Sequence, residues 1–167
     1  MSQPRPSSAP PNSARSDASE TITGDTPSFE TTVAATPLAV RGALCRLRDA
    51  LNAWGSTPDL AARVELVAAE LCNNIAEHGF RGRAAGELRL KARFASPDLY
   101  LEISDNGTPP PRALLQGQTL PSLDVACADL PEGGFGWFLI HSETDALRFE
   151  QNQNRNHLSL RFTPRTA

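Results

Sequence analysis

The sequence predicts an α+β fold of two layers, in which helices cover one face of a mostly antiparallel β-sheet. Short runs of alternating polarity, which are typical of half-buried strands, occupy residues 28–34, 87–95 and 99–104. Only a tight turn separates the last two runs, so we expect them to pair as an antiparallel hairpin. Between the first run and this hairpin, apolar residues recur at helical spacing over two long segments.

The first strand, Ser28–Ala34, is followed by two predicted helices. Pro37 suits the first turn of a helix, and apolar residues recur after it at helical spacing. Residues 55–59 break this helix, and Pro58 begins a second one that Gly79 ends. The side chains expected on the buried faces are Leu38, Leu44, Leu47, Leu51 and Trp54 in the first helix, and Leu60, Val64, Val67, Leu71, Ile75 and His78 in the second.

The second half of the chain contains a long segment without a strong pattern. Thr108–Gly133 is rich in proline, and a structureless segment of that length indicates a lid, a binding loop or a misread element. A short helix is expected at Phe135–His141. Ala146–Gln151 and His157–Phe162 are expected to form a closing hairpin.

The chain of 167 residues fits one domain preceded by a tail. Residues 1–27 are dominated by Ser, Pro, Ala, Asn, Thr and Asp, a composition that buries too little apolar surface to offset the entropy of ordering. We therefore expect a disordered tail at 1–27 and a folded domain at 28–167. The net charge of −3 gives no electrostatic case for nucleic-acid binding. No apolar run approaches the roughly 20 residues that span a bilayer.

The number and spacing of the cysteines indicate a protein from a compartment in which thiols stay reduced. Cys45, Cys72 and Cys127 are odd in number and lack the spacing of a metal site. Cys45 and Cys72 lie in helical apolar patterns, so we expect them to be small buried hydrophobes. The N-terminus also lacks the apolar core of a secretory signal, and we expect a cytoplasmic protein.

Two polar residues on the second predicted helix form a first candidate site. Glu70 and Asn74 are four residues apart, so they lie on one helical face beside the apolar Leu71 and Ile75. A carboxylate next to an amide oxygen can bind Mg²⁺ and orient a nearby hydroxyl. A solvated polar face also explains the pair, and for the pair alone we favour that explanation.

The second candidate is Asp105-Asn106-Gly107, at the end of the strand predicted at 99–104. An aspartate at a strand end can accept a hydrogen bond from an exocyclic amine such as that of adenine. A glycine two residues later lets the backbone approach a ligand closely. An ordinary Asp-Asn-Gly turn has the same sequence and no chemistry, and it is the simpler explanation of this motif alone.

The third candidate is the run Gly133-Gly134-Phe135-Gly136-Trp137 at the start of a predicted helix. Glycines that open a helix expose backbone N–H groups at the positive end of its dipole, where phosphate binds. A flexible hinge is the alternative.

Taken in this order and on these elements, the three motifs resemble the N, G1 and G2 boxes of the GHKL ATPase superfamily, which has the Bergerat fold. Within it, the chain most resembles the anti-sigma factor serine/threonine kinase family of bacterial partner-switching systems. The resemblance spans residues 29–162. The closer likeness lies in His78-Gly79, the prolines after Gly107, the run Gly133–Ile140, Asp145 and Asn156-His157-Leu158.

The resemblance implies ATP and Mg²⁺ as ligands and a role for each candidate residue. Asn74 would coordinate the Mg²⁺ that bridges the phosphates, and Glu70 would be the general base toward a serine or threonine hydroxyl. Asp105 would bind the adenine amino group, with Gly107 giving the ring room. Thr108–Gly133 would form the ATP lid. The glycine-rich part of the nucleotide site would consist of Gly133, Gly134, Phe135 and Gly136.

By the same resemblance, the chain would phosphorylate a STAS-domain anti-anti-sigma protein and sequester a sigma factor or another regulator, as a homodimer. An ATP-binding module that switches protein partners without kinase activity is the alternative, and Glu70 favours the kinase. The catalytic domain of a histidine kinase is disfavoured, because no histidine precedes His78. The chain departs from the family pattern where Pro109-Pro110-Pro111 replaces the second G1-box glycine, and its lid lacks a lysine.

Overall fold

The fold is a five-stranded antiparallel sheet with helices on one side. The computed structural model describes residues 26–116 and 134–165. The strands lie in the order β1-β2-β3-β5-β4, and the neighbouring strands pair antiparallel. These observations confirm the predicted fold class. The strands are Ser28–Ala34 (β1), Glu87–Ala95 (β2), Asp98–Asp105 (β3), Ala146–Asn152 (β4) and Arg155–Phe162 (β5).

The described helices are Pro37–Ala53 (α1), Pro58–Asn74 (α2), Arg112–Leu115 (α3) and Gly134–Glu143 (α4), and a π-helical turn, Ile75–Gly79, directly follows α2. The two long helices begin in the same way, with a threonine cap before a proline. Thr36 Oγ1 accepts a hydrogen bond from Ala39 N at 3.4 Å, and Thr57 Oγ1 accepts one from Leu60 N at 3.3 Å. Each cap satisfies a backbone N–H that has no partner inside the helix.

The core lies between the sheet and helices α1, α2 and α4. Along β2, β3 and β5, buried residues alternate with more exposed ones, as expected when one face of a sheet packs on helices. The largest fully buried side chains include Leu47, Leu51, Leu60, Leu71, Leu88, Leu90, Leu99, Leu101, Ile103, Ile140 and Phe162.

Three side chains that were predicted to be buried are exposed. Leu38 is 83% exposed, and Cys45 is exposed as well. At about 100° per residue, both lie roughly 160–180° around α1 from the buried Leu47, so the prediction was wrong for this face of the helix. His78 is exposed because it belongs to the π-helical turn, whose wider spacing shifts it out of phase with α2. Cys72 is buried, as predicted.

The segment after β3 contains a one-turn helix, α3, that the sequence pattern did not predict. It is tied to α4 by a hydrogen bond between His141 Nε2 and Leu114 O, 2.8 Å apart. Residues 117–133, most of the predicted lid, lie outside the described residues, and so do residues 1–25 of the predicted tail. Within the described ranges, no helix is long and apolar enough to cross a membrane.

Arg63 joins α2 to the end of the sheet where β5 finishes. It is 5% exposed, and its guanidinium donates to Thr163 O at 2.7 Å and to Glu143 O at 2.8 Å. Asp145 Oδ2 lies 3.4 Å from Arg63 Nη2 and accepts a hydrogen bond from Thr163 N at 2.6 Å. Burial works against ionisation of Asp145, but the hydrogen bonds from Thr163 and the charge of Arg63 outweigh it and lower its pKa. We call these four residues the Arg63 cluster.

Candidate functional site

A cavity of about 250 Å³ lies near the end of the sheet where β3 finishes and β5 begins. Its walls come from α2, the π-helical turn, the segment after β3, α3, α4 and β5. The walls are largely apolar with a few polar groups, which is typical of a small-molecule site. The lining includes the polar residues Asn74, Asp105 and Thr108 and also Gly79.

Glu70 and Asn74 meet the start of α4 at Gly136. A Cβ atom placed on Gly136 would lie 2.6 Å from Glu70 Oε2 and 3.8 Å from Asn74 Nδ2. A side chain at this position would displace Glu70, so glycine permits the close approach of α4 to α2. Asn73 is exposed whereas Asn74 lines the cavity, and the structure thereby distinguishes the two neighbouring asparagines.

The amide of Asn74 has a buried nitrogen without a partner. Among residues 26–116 and 134–165, no group forms a hydrogen bond with Asn74 Nδ2. An unsatisfied buried donor costs roughly 1–3 kcal/mol, and in native proteins it calls for a specific explanation such as a water or an acceptor on a ligand. The Asn74 amide is therefore available to a ligand that enters between α2 and α4.

The glycine-rich run begins α4, although the structure describes only part of it. Gly134 is the first residue of α4, and Gly133 lies outside the described residues. The first backbone N–H groups of a helix have no intrahelical partners and form the positive end of its dipole. Phe135 is 60% exposed, and its ring lies 6.0 Å from that of Phe138 instead of lining the cavity. What this end of α4 offers a phosphate is therefore its backbone.

Asp105 is buried at the end of β3, with one carboxylate oxygen held in place. It is 3% exposed, and its Oδ1 accepts hydrogen bonds from Gly107 N at 2.7 Å and from Asn156 Nδ2 at 3.0 Å. Burial raises the pKa of Asp105 above its ordinary value, although these two hydrogen bonds and the nearby Arg155 and His157 oppose the rise.

Gly107 is required by contacts within the protein. A Cβ atom there would lie 2.8 Å from Gly79 O and 2.9 Å from Asp105 Oδ1. The same carbonyl of Gly79 accepts hydrogen bonds from Thr108 N at 2.8 Å and from Arg83 Nη2 at 3.1 Å. The turn after β3 is therefore packed against the end of the π-helical turn, which the sequence pattern did not indicate.

Asn156 belongs to this site, although the sequence pattern assigned it no role. It is 1% exposed, and its Nδ2 donates to Asp105 Oδ1 and to Gly107 O, the latter at 3.1 Å. The alternation along β5 was a signal that could have found it. Every second residue of the strand is buried, and Asn156 is the one polar residue among them, the others being Leu158, Leu160 and Phe162. Its partner Asp105 is 51 residues away, and only the pairing of β3 with β5 brings the two together.

Two other chemistries are not supported by the residues around the cavity. Burial raises the pKa of Cys72 to about 12, so this thiol is neutral near pH 7 and is a poor nucleophile. In the described part of the chain, no group of three or more His, Cys, Asp or Glu side chains is placed to hold a metal ion. A metal at Glu70 and Asn74 would therefore take most of its ligands from a substrate and from water.

Comparison with known proteins relates the chain to one domain family and to solved structures of the same fold. Residues 33–162 match the model of the histidine kinase-like ATPase domain. No curated protein sequence gives a significant match.

Two solved structures from bacteria resemble the chain at low sequence identity. The RsbU and RsbW domains of Rv1364c from Mycobacterium tuberculosis are 16% identical, with a TM-score of 0.55 over 83% of this chain and 32% of that one. The chain therefore spans about a third of that protein chain. A chain of the SiaB-SiaC complex from Pseudomonas aeruginosa is 19% identical, with a TM-score of 0.53 over 81% of this chain and 89% of that one. At these identities, the likeness concerns the fold alone.

Proposed function

We propose that this chain, which belongs to the histidine kinase-like ATPase domain family, is a protein serine/threonine kinase that uses ATP. Membership of the family confirms the superfamily resemblance and implies ATP binding. The observation that carries the kinase proposal is the meeting of the Glu70 carboxylate, the Asn74 amide and the start of α4 at Gly136. This meeting brings together the three groups that the proposal uses as base, as metal ligand and as phosphate-binding backbone.

The residues at this end of the cavity fit a complex of ATP with Mg²⁺. Magnesium usually takes one or two protein oxygens and fills its octahedron with water and phosphate oxygens. Asn74 lines the cavity, and its amide oxygen would serve as the protein ligand. When bound, Mg²⁺ would neutralise charge on the phosphates. The N–H groups of Gly134 and Gly136 would bind phosphate oxygens, and Gly133 and Phe135 would add backbone groups.

Glu70 supplies the proton acceptor in the proposed reaction. Its carboxylate takes the proton of a serine or threonine hydroxyl on the substrate protein. The hydroxyl oxygen bonds to the γ-phosphorus of ATP, while the bond from that phosphorus to the β–γ bridging oxygen breaks. ADP leaves with the electron pair. Because phosphoryl transfer depends mainly on positioning and charge neutralisation, one base and a few donors are sufficient.

Asp105 binds the other end of the nucleotide in this proposal. Its carboxylate accepts a hydrogen bond from the adenine amino group, beside Gly107. Thr108–Gly133 would cover the nucleotide as a lid, of which residues 108–111 and Leu114 line the cavity in the structure.

The proposed substrate is a STAS-domain anti-anti-sigma protein, and the proposed second partner is a sigma factor or another regulator. The resemblance of the motifs to anti-sigma factor kinases supports this assignment. The shared fold with the RsbW-containing Rv1364c structure supports it as well. A chain of similar fold occurs in the SiaB-SiaC complex, so a domain of this kind is found bound to a second protein.

Glu70→Gln tests the kinase proposal, because glutamine keeps the shape of the side chain and removes its basicity. Phosphate transfer from labelled Mg-ATP to the STAS-domain proteins of the source genome should fall about 10²- to 10⁴-fold. ATP affinity, measured by titration calorimetry, should change by less than about threefold, since Glu70 is proposed to act in the transition state.

Asn74→Ala and Asn73→Ala form a matched pair on the same helix. Asn74→Ala should abolish the magnesium dependence of ATP binding, whereas Asn73→Ala should leave it intact because Asn73 is exposed. A wild-type chain that binds Mg-ATP but transfers no phosphate to any STAS-domain protein would contradict the kinase proposal. That result would favour an ATP-binding module that switches partners.

A further inference from the structure

The amide of Asn156 has a single orientation that satisfies its neighbours. Its nitrogen lies 3.0 Å from Asp105 Oδ1 and 3.1 Å from Gly107 O. A carboxylate oxygen and a backbone carbonyl oxygen are both acceptors, so the atom that lies between them must be the NH₂ nitrogen. On the other side, Gln151 Nε2 donates to Asn156 Oδ1 at 3.3 Å. Hydrogen bonds therefore run in one direction, from Gln151 through Asn156 to Asp105.

This chain of hydrogen bonds occupies one oxygen of Asp105 and leaves the other. Oδ1 accepts from both Gly107 N and Asn156 Nδ2. Within residues 26–116 and 134–165, no hydrogen bond is formed to Oδ2. Because Asp105 lines the cavity, Oδ2 is the acceptor that the site offers to a ligand.

We propose that Asn156, supported by Gln151, is a positioning residue that makes the site select adenine nucleotides over hypoxanthine or guanine nucleotides. The proposal rests on the proposed function, in which Asp105 faces the nucleotide base. An ionised carboxylate is an acceptor only, and because Oδ1 is occupied, Oδ2 is the oxygen left for the base. The C6 amino group of adenine is a donor and fits, whereas the C6 carbonyl of hypoxanthine or guanine is an acceptor and is repelled.

Asn156 matters for selection because Asp105 is buried. Burial already raises the pKa of Asp105, and the hydrogen bond from Asn156 is one of the interactions that oppose the rise. Without that donor, the pKa of Asp105 should rise further, and a larger share of the carboxyl should be protonated at a given pH. A protonated carboxyl has an O–H group that can donate to a C6 carbonyl, so the site would lose its preference for adenine over hypoxanthine or guanine.

The test compares the affinities of ATP and inosine triphosphate for the purified chain, measured by titration calorimetry with Mg²⁺. The two nucleotides share the ribose and phosphates and differ at C6 and at the adjacent N1, which bears a hydrogen in hypoxanthine. The change in the affinity ratio between variants therefore reports on the edge of the base that is proposed to face Asp105. The wild type should favour ATP by about tenfold or more, and Asn156→Leu should remove most of that preference. Asn152→Leu is the matched control, because Asn152 is an exposed asparagine of the same hairpin.

Two results with Asn156→Leu would overturn the proposal. An unchanged ratio would show that Asn156 has no part in selection, and an equal loss of both affinities would show a structural role only. If Asn156→Leu does not fold, Gln151→Leu decides the question, because Gln151 is exposed and its loss only frees the Asn156 amide. The ratio should then fall by about twofold to threefold, and an unchanged ratio would overturn the proposal.

Failure of the proposed function gives a different result. A wild-type chain that binds neither nucleotide would contradict ATP binding itself, and with it the role of Asn156. A wild-type chain that binds ATP and inosine triphosphate equally would leave the proposed function standing and would overturn only the selection by Asn156.

Discussion

Two aspartates near opposite ends of β5 have opposite environments. Asp105 lies beside Asn156 at the start of β5, and Asp145 accepts a hydrogen bond from Thr163 just beyond its end. Burial raises the pKa of Asp105, whose side-chain partner Asn156 is neutral. Asp145 is less buried, and the hydrogen bonds from Thr163 and the charge of Arg63 lower its pKa.

This difference separates a carboxylate that stabilises the fold from one that we propose is held for a ligand. Asp145 Oδ2 accepts a hydrogen bond from Thr163 N and lies beside the charged Arg63, so ionised Asp145 favours the folded state. Ionised Asp105 is desolvated without a bound counter-charge and therefore destabilises the folded state at neutral pH. Perturbed carboxylates of the second kind are typical of functional sites. Changes in the Arg63 cluster should thus affect stability, and changes at Asp105 should affect binding.

The largest effect on stability is expected from Arg63→Met. The substitution leaves Asp145 and Glu143 without their buried cation, which should lower the free energy of unfolding by about 3 kcal/mol in urea titrations. Arg48→Met is the matched control, since Arg48 pairs with Glu65 at the surface, where its side chain is 59% exposed. Equal losses in the two variants would contradict the structural role assigned to the Arg63 cluster.

Asp105→Asn should lower ATP affinity by about tenfold to 100-fold. The donors Gly107 N and Asn156 Nδ2 hold the oxygen of the new amide, so its NH₂ group faces the adenine amine, donor against donor. Stability should not fall at pH 7, because a desolvated charge is removed. The pKa of Asp105 is raised in the folded state. Any gain in the free energy of unfolding of Asp105→Asn over the wild type should therefore shrink as the pH falls through that pKa. Calorimetry and urea unfolding at several pH values measure both effects, and undiminished ATP affinity would refute the assignment.

The smallest effect is expected from Asp145→Asn, since the side chain of Asp145 is 34% exposed. Its loss should lower the free energy of unfolding by about 1 kcal/mol or less. The pKa of Asp145 is lowered in the folded state, so its contribution is present above the ordinary value of 3.8 and is lost as the pH falls through the folded value. Unfolding curves of the variant and the wild type should therefore converge in acid. A difference that grows in acid would contradict the direction of the shift.

Local patterns were sufficient to predict much of the fold. The alternation in β2 and β3 predicted their hairpin, and the proline after each threonine cap predicted where α1 and α2 begin. Leu38 and Cys45 were placed on the wrong face of α1 because neither apolar character nor spacing shows which side of an isolated helix packs on the sheet. The π-helical turn was not predicted, since a change of helical pitch leaves no periodic signal over five residues.

The candidate site, like the fold, could be predicted from the sequence only in part. The spacing of Glu70 and Asn74 placed them on one helical face, whereas their approach to Gly136 depends on how α4 packs against α2. The contact of Asn156 with Asp105 depends on the pairing of strands far apart in the sequence. Sequence patterns thus indicated the groups to which the proposal assigns chemistry, and tertiary packing supplied the groups that hold them in place.

Thermal unfolding with and without saturating Mg-ATP, for the wild type, Asp105→Asn and Asp145→Asn, tests the assignment of Asp105 to the nucleotide most directly. At a fixed ligand concentration, a ligand that binds the folded state raises Tm by an amount that grows with the logarithm of its affinity. Mg-ATP should raise the Tm of the wild type and of Asp145→Asn by the same amount, and that of Asp105→Asn by much less. An equal rise in all three proteins would show that Asp105 does not hold the nucleotide.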